Sequence, residues 1–129
     1  MKKYIIIFIA IIVVGLGWYF LPRVFVSKAP TIKLINSVVY TCDQGKTINA
    51  EYYESDLKTV VTPDMPPTPT GSVKISLSDG RKMTLPQTIS ADGVRYANTD
   101  ESFIFWSKGN GVMVLENNQE KDFTGCTIK

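Results

Sequence analysis

Apolar and polar side chains alternate with a period of two over most of the chain, which is the pattern of half-buried β-strands. Residues 48–52 read I-N-A-E-Y and residues 73–77 read V-K-I-S-L. Asp79-Gly80 follows the second of these and predicts a two-residue type I′ hairpin turn, because Asp and Gly tolerate positive φ. The same pattern predicts further strands at residues 81–85, 94–97, 102–108, 111–116 and near 123–128.

Seven or eight short antiparallel strands in about 95 residues predict an all-β domain, either a small barrel or a sandwich. We place this domain at residues 37–129. Its two cysteines, Cys42 and Cys126, lie in the first and last predicted strands. An oxidising compartment would join them, and a link between the first and last strands favours a barrel. In the chain-entropy description, closing a loop of about 85 residues stabilises the fold by about 4–5 kcal/mol.

The N-terminus has a different composition. Residues 4–21 carry no charge, and as a helix they would be about 27 Å long, enough to cross a thin bilayer. Lys2 and Lys3 precede this run and the aromatic residues 18–20 end it, as expected at the two membrane interfaces. We therefore predict a transmembrane signal anchor at residues 1–23 and a tether at residues 24–36, with a cleaved signal peptide as the alternative.

An uncleaved anchor of this orientation predicts a single-pass protein of the bacterial inner membrane, with its C-terminal domain in the periplasm or at the cell surface. The full sequence has a formal charge of +2, but four of the 14 basic residues precede position 29 and all 12 acidic residues follow it. The exported domain therefore carries a charge of about −2, which argues against a nucleic-acid partner.

Residues 62–71 contain four prolines, which cannot donate backbone hydrogen bonds to a sheet. The segment is predicted to be a stiff, extended loop between strands. A proline-rich docking motif is the alternative.

The residues needed for common catalytic and metal sites are missing. The sequence has no histidine, and its cysteines are expected to be oxidised, so thiol chemistry and thiolate metal ligands are excluded. Asp100-Glu101 and the pair Glu120 and Asp122 lie in polar, turn-like sequence that is typical of solvated loops rather than of a paired acid and base. We predict that the chain is not an enzyme and needs no cofactor or metal.

Several short motifs occur in a fixed order from position 40 onward. They are Y-x-C-x-x-G from Tyr40, D-G-R-K-M-T-L-P from Asp79, S-A-D-G-V-R-Y from Ser90, and F-W-S-K-G from Phe105, followed by Cys126. In this order and spacing the chain resembles the family of membrane-bound lysozyme inhibitors of c-type lysozyme. The resemblance implies an eight-stranded antiparallel β-barrel that inserts two turns into the active-site cleft of a lysozyme.

The resemblance also implies which residues bind. The family motifs S-G-x-x-Y and T/S-K-G match one turn with Gly93 and Tyr96 and another with Ser107, Lys108 and Gly109. The lysine and the motif serine are implied to address the catalytic carboxylates. About two extra residues are implied between the turns, around residues 97–102.

The chain departs from the family at one important position, because Asp92 stands where the motif has serine. An aspartate aimed at carboxylates is repelled, and like charges brought together in an interface are costly. Ser90, two residues earlier, is the nearest hydroxyl that could replace the serine.

Inhibition of c-type lysozyme by occlusion of its cleft is the favoured function, with c-type lysozyme as the partner. The alternative is an envelope binding module of the same fold that has lost inhibition and recognises a cell-wall fragment or another protein.

Overall fold

The computed structural model describes residues 29–57 and 63–128, which form a closed antiparallel β-barrel. Each strand pairs with the next along the chain, and the last pairs with the first. The strands are β1 (Ile32–Thr41), β2 (Thr47–Ser55), β3 (Ser72–Leu77), β4 (Lys82–Thr88), β5 (Val94–Ala97), β6 (Phe103–Lys108), β7 (Gly111–Glu116) and β8 (Cys126–Thr127). The predicted all-β fold with eight antiparallel strands is confirmed.

Period-two alternation places one row of side chains from each strand inside the barrel. In β3, Val73, Ile75 and Leu77 are buried while Lys74 between them is exposed. The interior is filled by aliphatic and aromatic side chains from seven strands and the last loop, with Phe105 and Phe123 the largest that are fully buried. The apolar rows seen in the sequence are therefore the core of the domain.

The β3–β4 connection is longer than predicted. Leu77 N–H donates to the Arg81 carbonyl (2.9 Å) and Gly80 N–H donates to the Leu77 carbonyl (3.0 Å), which leaves a three-residue loop. Only Gly80 has positive φ (95°), whereas a type I′ turn needs it at both central residues. The prediction of a two-residue turn at Asp79-Gly80 was wrong, because Asp79 keeps an ordinary φ and Gly80 forms a bulge.

The first strand begins earlier than the predicted domain boundary. β1 starts at Ile32 and pairs Ile32 with Ser55 and Leu34 with Tyr53 at the far end of β2. Five residues of the predicted tether at residues 24–36 therefore belong to the sheet, since these residues are mostly β-branched or apolar and have a partner strand.

The predicted disulfide is confirmed. Cys42 follows β1 directly and is bonded to Cys126 in β8, across a sequence separation of 84. β8 has only two residues, and it joins β7 to β1 through pairs at Gly111, Val112 and Thr41. The disulfide thus fixes the shortest strand, where few strand pairs close the barrel.

Residues 63–71 form an irregular, mostly exposed connection between β2 and β3. These residues belong to the loop predicted at residues 62–71, of which residue 62 lies outside the described residues. No helix within residues 29–57 and 63–128 is long and apolar enough to cross a membrane. The predicted anchor at residues 1–23 lies outside this part of the chain.

Candidate functional site

The two segments implied by the sequence to bind a partner lie side by side. β5 and β6 are neighbouring antiparallel strands, and Val94 at the start of β5 pairs with Ser107 near the end of β6. The loop that precedes β5 and the turn that follows β6 therefore leave the same end of the barrel. The connection at residues 98–102, where extra length was implied, lies at the other end of this hairpin and does not separate the two segments.

The β6–β7 turn is a tight projection that carries Lys108. Lys108 pairs with Gly111, so that Gly109 and Asn110 form the whole loop. Gly109 has positive φ (57°), as the first central residue of a type II′ turn requires. The Lys108 side chain is 70 % exposed. A cation is thus held in the last strand residue before a tight, two-residue turn.

The β4–β5 loop, residues 89–93, is fastened to β6 by hydrogen bonds to the backbone of Asp92. The Trp106 Nε1–H donates to the Asp92 carbonyl (2.8 Å), and the Ser90 hydroxyl donates to the same carbonyl (2.7 Å). Gly93 has positive φ (65°) and packs so closely that a Cβ would overlap the Ser107 carbonyl oxygen. The loop and the turn therefore form one connected surface, which we call the paired turns.

An ion pair connects the two parts of the paired turns. The Asp92 carboxylate contacts the Lys108 ammonium, and both side chains are more than 60 % exposed. A hydrogen bond from Lys108, together with its charge, holds the pKa of the Asp92 carboxyl below its ordinary value. The sequence predicts that Asp92 repels a partner's carboxylates or serves only to form a turn, and in the free protein its carboxylate is bound to the lysine of its own chain.

Two of the implied binding residues face the interior. Tyr96 is 5 % exposed and its ring lies against Tyr52 and Phe105, with centroids 5.8 and 6.4 Å away. Ser107 is half-buried, and its hydroxyl lies 3.5 Å from the Tyr40 hydroxyl, which bonds to Tyr52 (2.8 Å). Tyr96 and Ser107 therefore support the paired turns from within, because the alternation that places Lys108 outside places Ser107 inside. Burial raises the pKa of Tyr96 to about 12.

A groove of about 700 Å³ runs along the outside of the barrel beside the paired turns. Ile89, Trp106 and Met113 provide its apolar walls, and the charged groups Lys108 and Glu120 line it as well. The groove places an apolar surface next to the exposed cation.

Trp106 is the residue whose importance the sequence did not reveal. An aromatic residue in an alternating strand is expected to lie in the core or to pack across strands, and Trp106 does lie opposite Arg95 and Met113. Its indole N–H, however, is the donor that fastens the β4–β5 loop. The available signal was chemical, since a half-buried indole usually finds a hydrogen-bond partner.

Comparison with known proteins identifies a family. Residues 40–122 match the family described as "Membrane-bound lysozyme-inhibitor of c-type lysozyme", which covers more than half of the chain. A protein of Yersinia enterocolitica serotype O:8 / biotype 1B, named "Membrane-bound lysozyme inhibitor of C-type lysozyme", is 39 % identical over 56 residues.

That alignment covers 43 % of this chain and 45 % of the Yersinia protein, so the matched part spans less than half of the relative's length. No solved structure matches the chain significantly. The family is one of inhibitors, which agrees with the prediction that the chain is not an enzyme. By its match over residues 40–122, the chain belongs to the family of membrane-bound lysozyme inhibitors of c-type lysozyme.

Proposed function

We propose that this protein inhibits c-type lysozyme by placing the paired turns in the active-site cleft of the enzyme. The observation that carries the proposal is the Lys108 side chain, which is 70 % exposed directly before a two-residue turn. Lysozyme cleaves its substrate with a pair of carboxyl groups. A cation on a narrow projection has the charge and the shape to enter such a cleft and bind both.

Rigidity of the paired turns supports this mechanism. The loop is fastened to β6 through Trp106 and is braced internally by Ser90, and Gly109 supplies the positive φ that the turn requires. A surface that is ordered before binding loses less conformational entropy in the complex, which favours affinity. The groove walled by Ile89, Trp106 and Met113 adds apolar area that the rim of a cleft can cover.

The proposal is tested by adding the purified protein to a c-type lysozyme in a cell-wall lysis assay. We expect inhibition that saturates at one inhibitor per enzyme. Lys108→Ala should weaken it roughly 30-fold or more, because truncating one partner of a desolvated charge contact is costly. Lys82→Ala is the matched control, since Lys82 is an exposed lysine at the start of β4, at the other end of the barrel.

The groove also favours a second candidate, an envelope binding module that recognises a cell-wall fragment. A half-buried tryptophan beside polar and charged groups can stack on a sugar ring. Under this alternative lysozyme would not bind, and titration with a soluble cell-wall fragment would shift the indole resonance of Trp106.

We further propose that residues 1–23 anchor the protein in the inner membrane as a single span and that the barrel lies in the periplasm or at the cell surface. The uncharged run at residues 4–21 and the absence of a cysteine there, which excludes a lipid anchor on cysteine, support this. An intact N-terminus in the membrane fraction is expected. A mature N-terminus near residue 28 in the soluble fraction would show cleavage instead.

A further inference from the structure

The atoms that hold the β4–β5 loop are separate from the atoms that meet Lys108. The hydrogen bonds of the loop use the Asp92 carbonyl and the Asp92 N–H, which lies 3.4 Å from Ser90 Oγ. The Asp92 carboxylate instead pairs with Lys108. Neutralising the carboxylate or turning it away from Lys108 therefore leaves the hydrogen bonds of Trp106 and Ser90 to the Asp92 carbonyl in place.

The other charged groups of this surface do not pair with Lys108. Arg95, which also lines the groove, is held by both oxygens of Glu101 at 3.1 and 2.9 Å and by Thr88 at 2.9 Å. Glu120 lines the groove, and no ion pair with it is seen among residues 29–57 and 63–128. Among the described residues, Asp92 is thus the carboxylate that Lys108 meets before any partner arrives.

We propose that Asp92 is an internal competitor for Lys108, occupying in the free protein the position that a partner's carboxylate takes in the complex. The inference rests on the proposed function and identifies Asp92 as a residue that sets its specificity. A partner with one exposed carboxylate gains nothing by replacing Asp92, because it only exchanges one such contact for another. A partner with two carboxylates in a desolvated cleft forms stronger contacts and displaces Asp92.

The competitor therefore makes binding selective at the expense of affinity. An exposed ion pair contributes little to stability, so releasing it should change affinity only a few-fold. This differs from the sequence-based expectation of repulsion, under which Asp92 opposes binding whether or not Lys108 is present. The two mechanisms give different results when both residues are changed.

The test is a double-mutant cycle on inhibition of a c-type lysozyme, using the whole protein. Asp92→Asn keeps the size of the side chain and the backbone contacts of the loop. We expect it to lower the inhibition constant about 2- to 5-fold when Lys108 is present. In the Lys108→Met background the same change should have no effect. Asp64→Asn, in the exposed β2–β3 loop, is the control for net charge and should have no effect in either background.

Each outcome of the cycle decides the matter. Equal improvement in both backgrounds would mean direct repulsion and would overturn the proposal, as would no improvement or a loss with Lys108 present. If Asp92→Asn inhibits and the unaltered protein does not, the proposal is supported and Asp92 competes for Lys108 more strongly than expected. If no variant inhibits, the proposed function fails and the competitor role fails with it.

A second measurement tests, in the absence of lysozyme, whether the ion pair forms in solution. In an NMR titration of the free protein, the Asp92 carboxyl should titrate below the ordinary aspartate value of about 3.9. In Lys108→Met the pKa of this carboxyl should rise, because the hydrogen bond and the charge of Lys108 are lost. Identical titrations in the two proteins would show that the contact is not populated in solution, which would overturn the proposal.

Discussion

Gly93 shows how a single residue permits the paired turns to form. Its φ of 65° is unfavourable for residues with a Cβ, and a Cβ there would overlap the Ser107 carbonyl and lie 3.3 Å from Trp106 Nε1. Backbone atoms of a barrel strand cannot move away as a flexible side chain can. The glycine is therefore needed both for its conformation and for the close approach of the loop to β6.

We predict that Gly93→Ala lowers the free energy of unfolding by about 2–3 kcal/mol, from backbone strain together with the overlap. It should also weaken lysozyme inhibition, because the loop must move away from β6. Gly45→Ala is the matched control, since Gly45 has a similar φ of 73° with no atom within 4 Å of its Cβ. It should cost only about 1 kcal/mol, from strain alone. Equal losses in urea unfolding would show that the overlap is relieved.

Individual strands were predictable from the sequence, whereas the contacts that form the paired turns were not. Alternation is a local property, so β3 and β7 lie where their patterns placed them. The paired turns depend on β5 lying next to β6, and the contact of Asp92 with Lys108 is tertiary. The motifs also could not show that Tyr96 is buried, because its face is set by the register of the sheet.

The tyrosines inside the barrel predict loss of stability in alkali. Burial raises the pKa of Tyr96 to about 12, above the ordinary value of 10 expected in the unfolded chain. The pKa of Tyr52 is raised as well, mainly by burial and then by its hydrogen bond with Tyr40. The folded state thus holds these protons more tightly than the unfolded state. The stabilisation is complete below pH 10 and is lost as the pH rises through the folded pKa values.

We expect Tyr96 alone to account for about 2–3 kcal/mol of the loss between pH 9 and pH 12, measured by urea unfolding. Tyr96→Phe should leave stability at pH 7 nearly unchanged, because no hydrogen bond of its hydroxyl is found within the described residues. The variant should lose less stability than the unaltered protein in alkali. A loss of the same size in both would show that Tyr96 does not titrate in the folded barrel.

At the scale of the whole molecule, the Cys42–Cys126 disulfide joins the residue after the first strand to the last strand. The bond spans a sequence separation of 84 and lies beside the two-residue strand β8. In the chain-entropy description a loop of this length contributes about 4–5 kcal/mol, and measured values are often lower. The predictable part of this feature was the pairing, because only two cysteines are present.

We predict that replacing both cysteines by alanine lowers the free energy of unfolding by about 2–5 kcal/mol. Most of the effect should fall on β8 and its neighbours, where hydrogen exchange of β7 and β1 amides should accelerate more than exchange in β3. Reductant should destabilise the unaltered protein and leave the alanine variant unchanged. A variant as stable as the oxidised protein would mean that the strand pairs alone close the barrel.

The central claim is that Lys108 meets the catalytic carboxylates of c-type lysozyme, and it is tested most directly by a double-mutant cycle across the interface. Dissociation constants would be measured by calorimetry for the unaltered protein and for Lys108→Ala. Each would be paired with active lysozyme and with a lysozyme whose two catalytic carboxylates are replaced by amides. We predict that Lys108→Ala weakens binding roughly 30-fold or more to active lysozyme and only slightly to the amide form. An equal loss with both lysozymes, or no loss with either, would contradict the account.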